Sequence, residues 1–390
     1  MQRDRRNLLK AGAVWTAASH SRILGANDRI RLGGIGLGGR CRYLLNLARQ
    51  QEDTQVAAIC DVYEPRIAET RAKVAPDADA VADYRALLER KDIDAVIIGS
   101  PDHWHVPMTI DAVRAGKDVY VEKPLTKTIE EGPKVEAAVR ESGRVVQVGY
   151  QQRSWEHFIA ARELIASGKL GDITLVLASW YQNYLGSEPS KYKVDESKLD
   201  WKRWLGNAPP QPVNALRYFR WRWFWDFGGG HLTDLYSHYC DVIHWYMGND
   251  SPKRAQADGG VYLLEHLECP DTINASWDYG KFQVVYNGTL VCRLEGGNIV
   301  FRGTKAMMKI NRDGFAVYPE GVIPAEKTQY PEPLAAMKSA RDGSVDHVRN
   351  FLECVRSRKA PNSTVHDAVM AARAAHLGNL AYRKGERIIC

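Results

Sequence analysis

The segment Arg29-Ile30-Arg31-Leu32-Gly33-Gly34-Ile35-Gly36-Leu37-Gly38-Gly39-Arg40 decides the fold. Ile30, Leu32 and Ile35 give a short apolar strand that ends in glycine, and the spacing of Leu44, Leu45, Leu47 and Ala48 predicts a helix beyond it. A strand, a glycine turn and a helix start make an anion site, because free backbone N–H groups and the positive helix end face the turn. Glycine also lets the backbone come close to a pyrophosphate, since no Cβ intervenes. Two registers are available. Gly34, Gly36 and Gly39 satisfy the dinucleotide-binding spacing; alternatively Gly36, Gly38 and Cys41 hold the three positions. The second is preferred, because it leaves Leu32 to Ile35 to the strand. The next strand run, Gln55 to Cys60, ends in Asp61, where an acid receives the hydroxyls of an adenosine ribose. A carboxylate there repels a 2′-phosphate, so NAD is favoured over NADP.

A chain of 390 residues suggests two domains. Its net charge of +6 is concentrated at the start, where Arg3, Arg5, Arg6, Lys10 and Arg22 face Asp4 alone within residues 1–26. The remainder is nearly balanced, so no nucleic-acid partner is expected. Eleven Trp and eighteen Tyr suit a carbohydrate-like ligand, although protein cores hold most such residues. Seven cysteines without paired spacing read as small core hydrophobes rather than a disulfide framework.

Residues 1–26 read as an address. Asp4-Arg5-Arg6-Asn7-Leu8-Leu9-Lys10 resembles the twin-arginine export motif, and the apolar run Ala11 to Ala18 is too short to span a membrane. Such substrates cross the membrane folded. The expectation is a periplasmic protein that carries its cofactor with it and has no membrane contact after export.

From residue 27 to 150 the pattern alternates strand and helix: Ala95 to Ile98, Val106 to Ala115, Asp118 to Val121, Thr128 to Ser142, Val145 to Val148. That alternation predicts a parallel sheet with helices on both faces and a ligand at the strands' carboxyl ends. Three chemically loaded segments fall at such ends: Ser100-Pro101-Asp102-His103-Trp104-His105, Glu122-Lys123-Pro124 and Gly149-Tyr150-Gln151. Together with the glycine turn and Ala115-Gly116-Lys117-Asp118-Val119-Tyr120-Val121, they resemble the glucose-fructose oxidoreductase / inositol dehydrogenase / rhizopine catabolism (Gfo/Idh/MocA) family, including its NAD-dependent glycosidase members. The resemblance covers nearly everything past residue 28 and departs at Cys41, where the family usually has glycine. It implies an N-terminal Rossmann domain followed, over residues 151–390, by an α/β domain with a large open, mostly antiparallel sheet. The C-terminal helices Asp346 to Arg358 and His366 to Tyr382 are expected to pack back on the first domain.

Residues 151–169 read as a helix, and Asp172 to Trp180 as a strand. Residues 186–220 form a long polar, proline-bearing segment. Trp221, Trp223 and Trp225 alternate, which on an extended chain puts three indoles on one side. Gly228-Gly229-Gly230 opens a helix from His231 to Met247, on which His231, Asp234, His238 and Asp241 share a face. Further strands are expected over Thr272 to Tyr279, Phe282 to Tyr286, Leu290 to Leu294, Ile299 to Arg302 and Ala306 to Ile310, with antiparallel pairing and one broad face suited to a homo-oligomer, a dimer or tetramer.

The resemblance implies a catalytic set of Lys123, Asp234 and His238. His238 is the expected general base, Asp234 its orienting partner, and Lys123 the holder of the developing alkoxide, with Lys123 the alternative base if burial lowers its pKa. NAD is expected on Gly36, Gly38, Gly39, Arg40 and Asp61, with Ser100, Pro101, His105, Glu122, Lys123 and Gln151 at neighbouring strand ends. A sugar or glycoside is expected against Lys123, Tyr150, Tyr181, Trp223, His231, Asp234 and His238. The reaction is hydride transfer at a carbinol carbon, with a redox-neutral glycosidase cycle as the alternative. For that cycle Tyr181, Tyr150 and His231 are candidate bases. No metal is expected, because four ligands spread over nearly three helical turns cannot meet one ion. A binding protein without catalysis is disfavoured by the intact Lys-Asp-His set.

Overall fold

The computed structural model describes residues 29–321 and 330–390. The export segment of residues 1–26 lies outside the described residues. The chain begins with β1 (Ile30–Ile35), α1 (Gly39–Arg49), β2 (Thr54–Cys60), α2 (Glu64–Lys73), β3 (Asp79–Val81) and α3 (Tyr84–Leu88). It continues with β4 (Ala95–Ile98), α4 (Asp102–Arg114), β5 (Asp118–Val121), α5 (Glu131–Ser142) and β6 (Val146–Val148). These strands form one parallel sheet in the order β3-β2-β1-β4-β5-β6. The order reverses between β1 and β4, which opens a crevice at their carboxyl ends. Every residue of β4 and β5 is buried, as helices on both faces of a sheet require.

The glycine turn settles the register. Gly36 has φ of +75°, and a Cβ on it would lie 2.6 Å from the Ser100 backbone nitrogen. Gly38 caps α1, which starts at Gly39. Cys41 then holds the helix-packing position. Gly99 makes room for it, since a Cβ at 99 would fall 2.7 Å from the Cys41 Cβ.

The second part contains α6 (Glu156–Ala166), β7 (Ile173–Tyr181), α7 (Trp201–Leu205) and α8 (Ala215–Arg220), then a π turn (Leu232–Tyr236) that runs into α9 (Ser237–Met247). Next come β8 (Arg254–Gly260), β9 (Thr272–Asp278), β10 (Gln283–Thr289), β11 (Gly297–Gly303), β12 (Ala306–Asn311), β13 (Gly314–Pro319) and β14 (Ala335–Lys338). The chain closes with α10 (Ser344–Ser357), α11 (Val365–Lys384) and β15 (Ile388–Ile389). The nine strands order as β14-β13-β12-β11-β7-β10-β9-β8-β15, and only β7 and β10 pair in parallel. One face of this sheet packs on α6, α9 and α11.

The two C-terminal helices return to the first sheet. From α10, Val348, Phe351, Leu352 and Val355 join the core over α1. From α11, Val365, Ala368, Val369 and Ala371 enter the first domain's core, while Ala374, Ala375 and Leu377 enter the second's. Each large aliphatic side chain so buried contributes about 1.5–3 kcal/mol. The small residues of α11 let other groups come close: the Trp277 indole N–H donates to the Ala374 carbonyl at 2.9 Å.

Several local expectations fail. The run at Trp221–Trp223 is a 3-10 turn, so the extended condition for a shared side is not met; Trp223 is a core residue, 1% exposed. Leu290 to Leu294 is not a strand, and Leu294 is 76% exposed. The helix expected from residue 151 begins as a 3-10 turn over Gln151–Ser154, with α6 following Trp155. The long segment 186–220 contains α7 and α8. Strands β3, β8 and β13 to β15 had no expectation attached; β8 is too polar and glycine-rich to read as one.

Candidate active site

The crevice at the carboxyl ends of β1, β2 and β4 is built for a dinucleotide. The backbone at Gly39 is open, with nothing within 4 Å of where a Cβ would be. No acidic residue lies in the first turn of α1 and no side chain caps it, so its N–H groups face this space unneutralised. Asp61 follows β2 directly, and its carboxylate accepts from the backbone N–H of Leu37 at 2.6 Å and of Tyr63 at 2.9 Å. Burial pushes Asp61 above the ordinary aspartate range, with Arg66 at 3.9 Å opposing. Asp61 lines one cavity with Gly36, Ser100 and Pro101, and the buried Ser100 Oγ and Gln151 Oε1 have no partner among the described residues. These groups fit the adenosine and phosphate parts of NAD.

An arm of the second domain walls that cavity. Arg203 and Trp204 line it. Leu199 bridges to Tyr63, the Asp200 N–H donates to the Val62 carbonyl at 2.9 Å, and the Trp104 indole N–H donates to the Trp204 carbonyl at 2.9 Å.

The reactive groups converge where the two domains meet. Lys123 follows β5, and its Nζ donates to both the backbone oxygen and Oδ1 of Asp234, each at 2.7 Å. Arg222 Nε donates to the same Oδ1 at 2.9 Å. Burial raises the Asp234 carboxyl, but Lys123 and Arg222 outweigh it and hold the group down at about 2. His238 lies one turn on. Its Nδ1 meets the Gln152 side-chain oxygen at 3.3 Å, its ring stacks on Trp180 at 5.7 Å, and Tyr150 presents an edge at 5.9 Å. With Nδ1 donating to Gln152, Nε2 keeps its lone pair, and it has no partner among the described residues. Burial, then the charges of Lys123 and Arg312, push His238 well below the usual imidazole range, so the ring is neutral at working pH.

The π turn changes the expected arrangement. It inserts a wider turn between Asp234 and His238, so Asp234 faces Lys123 and Arg222 instead of orienting the imidazole; Gln152 does that. The four-residue polar face breaks up for the same reason. His231 Nδ1 meets Tyr286 Oη at 3.2 Å and its Nε2 meets the Asp271 carbonyl at 3.3 Å, in a buried pocket that pushes it down to about 4. Asp241 is paired with Arg153 at 2.9 Å, and burial pushes it up to about 7. No metal-binding cluster occurs among the described residues.

The remaining expected residues have definite places. Arg40 pairs with Glu122 at 2.9 Å and donates to Ser344 Oγ at 3.0 Å. Burial raises Glu122, but Arg40 and Lys123 bring it below its ordinary value. Gly149 is needed beside it, as a Cβ there would lie 2.6 Å from Glu122 Oε1. The His105 ring lies between two backbone carbonyls, Nδ1 at 2.7 Å from Pro124 and Nε2 at 2.8 Å from Ser100; its one N–H donates to one of them, and the ring braces the cleft wall. Tyr181 donates to Asn287 Oδ1 at 2.5 Å. Trp223 and His231 sit edge to face, 5.4 Å between ring centroids.

Sequence reading missed Arg222, Gln152, Trp180 and Arg312, and gave no role to Asp102, although that residue lies in the segment 100–105 at a strand end. Asp102 is buried with Oδ1 unpartnered, and burial plus the nearby Asp234 charge push it well above the ordinary aspartate value. Arg222 and Gln152 each adjoin a residue already singled out, which was the available signal. Arg312 lies in a polar hairpin turn that reads as solvent-exposed.

Comparison with known proteins accounts for both parts. Residues 30–150 match the family model described as oxidoreductase family, NAD-binding Rossmann fold, and residues 158–309 match the GFO/IDH/MocA C-terminal domain. Inositol 2-dehydrogenase of Salmonella typhimurium is 30% identical over 190 residues, covering 47% of this chain and 55% of that protein. The chain thus spans about half the length of the curated relatives it matches. Among solved structures, the WlbA dehydrogenase of Bordetella pertussis, in complex with NADH and UDP-GlcNAcA, has a TM-score of 0.72 at 20% identity, covering 93% of this chain and 99% of that one. Levoglucosan dehydrogenase, in complex with NADH and levoglucosan, has a TM-score of 0.73 at 17% identity, again covering 93% and 99%. These two share the fold. With consecutive matches to both of its domains, the chain belongs to the GFO/IDH/MocA family of oxidoreductases, with an NAD-binding Rossmann domain at its N-terminal side.

Proposed function

We propose that the protein is an NAD-dependent oxidoreductase that moves a hydride between a hydroxyl-bearing carbon of a sugar or glycoside and a nicotinamide cofactor it retains. The observation that carries this reading is the Lys123–Asp234 pair, 2.7 Å apart, beside His238 at the carboxyl edge of the nucleotide-binding sheet. NAD bound on the glycine turn supplies the hydride acceptor. The chain's residues do the rest. Lys123 spends two of its three N–H donors on Asp234, and the third is left for the substrate hydroxyl. His238 Nε2 takes the hydroxyl proton. As charge develops on the oxygen, Lys123 and Arg222 together exceed Asp234 by one positive charge and stabilise it. Relatives named for inositol and levoglucosan support a polyol or sugar substrate.

The arm over the cofactor cavity supports retention, and retention favours a second reading: a glycosidase that oxidises, eliminates, hydrates and reduces again without net redox change. Tyr150, next to His238, is the base candidate for elimination; His231 is tied to Tyr286 and Asp271. The twin-arginine segment supports export to the periplasm, and the broad second sheet a homo-oligomer. The test is made on protein purified without added cofactor, denatured and assayed for NAD(H), with the native protein incubated in parallel with sugars and nitrophenyl glycosides. Bound NAD with NADH formed from a sugar, abolished in Lys123→Met, supports the oxidoreductase. Nitrophenol release without net NADH supports the glycosidase. Neither activity, with NAD bound, refutes both.

A further inference from the structure

We propose that Arg312 reads a carboxylate on the substrate, so that this site takes a sugar acid of the hexuronate class; this rests on the sugar-oxidoreductase reading. Arg312 lies in the turn between β12 and β13, a place where an arginine normally extends into water. Here the turn is fixed, with Asn311 Oδ1 accepting the Asp313 N–H at 2.8 Å and the Asn311 carbonyl meeting His157 Nε2 at 2.8 Å. The guanidinium folds inward over the Trp180 ring, 4.9 Å from its centroid, and Trp180 in turn stacks on His238. Its charge bears on His238, and those of Arg40, Glu122 and Asp342 bear on it, with one aromatic ring between the guanidinium and the proposed base.

Arg312 has no ion pair or hydrogen bond among the described residues, and its buried Nε is without a partner. The acids near it are engaged elsewhere: Glu122 Oε1 by Arg40, and Asp342 by Tyr43 Oη and the Ser344 N–H. Burial and the repulsion of Arg40 press its charge downward, and Trp180 supplies only a weak cation–π contact. A guanidinium whose Nε is buried without a partner and which has no counter-ion is costly unless a ligand brings one. The other cations have their roles, Arg40 with Glu122, and Lys123 and Arg222 with Asp234 and the reacting oxygen. One positive charge is left, which one carboxylate balances. The planar fork of arginine matches a carboxylate with two parallel hydrogen bonds.

The test is calorimetric binding to the NAD-loaded protein, with glucuronate, galacturonate, glucose, galactose and glucose 6-phosphate as ligands. At least one uronate is expected to bind about tenfold or more tighter than its neutral hexose. Arg312→Gln should remove that preference and Arg312→Lys should keep part of it, both with unchanged NAD retention. Equal affinity for uronate and hexose overturns the proposal. So does tighter binding of glucose 6-phosphate than of either uronate, or an Arg312→Gln variant that loses NAD by the same factor, which would assign Arg312 to the cofactor. Uronate bound through Arg312 without NADH formation keeps this inference and refutes the oxidoreductase reading alone.

Discussion

Asp234→Asn keeps the shape of the side chain and removes its charge. In the native site the Asp234 carboxylate accepts from Lys123 at 2.7 Å and from Arg222 at 2.9 Å, and together they hold it at about 2 against an ordinary 3.8. That shift corresponds to about 2 kcal/mol in favour of the folded, ionised form. Because the folded value lies below the unfolded one, the contribution is present above pH 4 and is lost as pH falls through 2. Asp234→Asn is therefore expected to lower stability by about 2 kcal/mol at pH 7, with roughly half of the difference left at pH 3. Urea unfolding followed by tryptophan fluorescence at the two pH values measures both numbers. An equal loss at pH 7 and pH 3 would place the cost in packing rather than charge, and no loss at either would refute the ion-pair argument. In activity, the variant leaves Lys123 and Arg222 without their counter-charge, and kcat should fall by more than KM changes.

The depressed His238 places the acidic limb of kcat/KM below pH 6.5, since the base stays unprotonated until pH falls through its lowered value; a limb at or above 6.5 removes His238 from that role. Gly39→Ala should weaken NAD binding while stability holds or rises by up to about 1 kcal/mol, because the space is open and the site helical. Gly36→Ala should lose both stability and NAD binding through its +75° φ and the 2.6 Å approach to Ser100; equal behaviour of the two variants contradicts the cradle. Trp204→Ala should let NAD wash out during gel filtration while added NAD still binds, and full retention by that variant would deny the arm its part.

The cofactor cradle was legible because it is local. Gly36, Gly38, Asp61 and their strands lie within about thirty residues and obey hydrogen-bonding rules that spacing expresses. Lys123, Asp234 and His238 were legible only through resemblance, and nothing in the spacing of 234 and 238 announces the π turn in which Asp234 meets Lys123. Trp221 to Trp225 misled because alternation alone does not distinguish an extended run from a short 3-10 turn fixed by distant packing. Gln152, Trp180, Arg222 and Arg312 stayed hidden because each acquires its meaning from a partner on another element. A turn such as Asn311 to Gly314 looks solvated until Trp180 is set beneath it.

Helix α11 belongs to two cores at once, with Val365 to Ala371 in one and Ala374 to Leu377 in the other. It works as a rivet. Rotating one domain against the other would pull apolar side chains of a continuous helix out of one core or the other. A change in the width of the cleft holding Lys123, Asp234 and His238 would therefore cost buried apolar area in one core or the other.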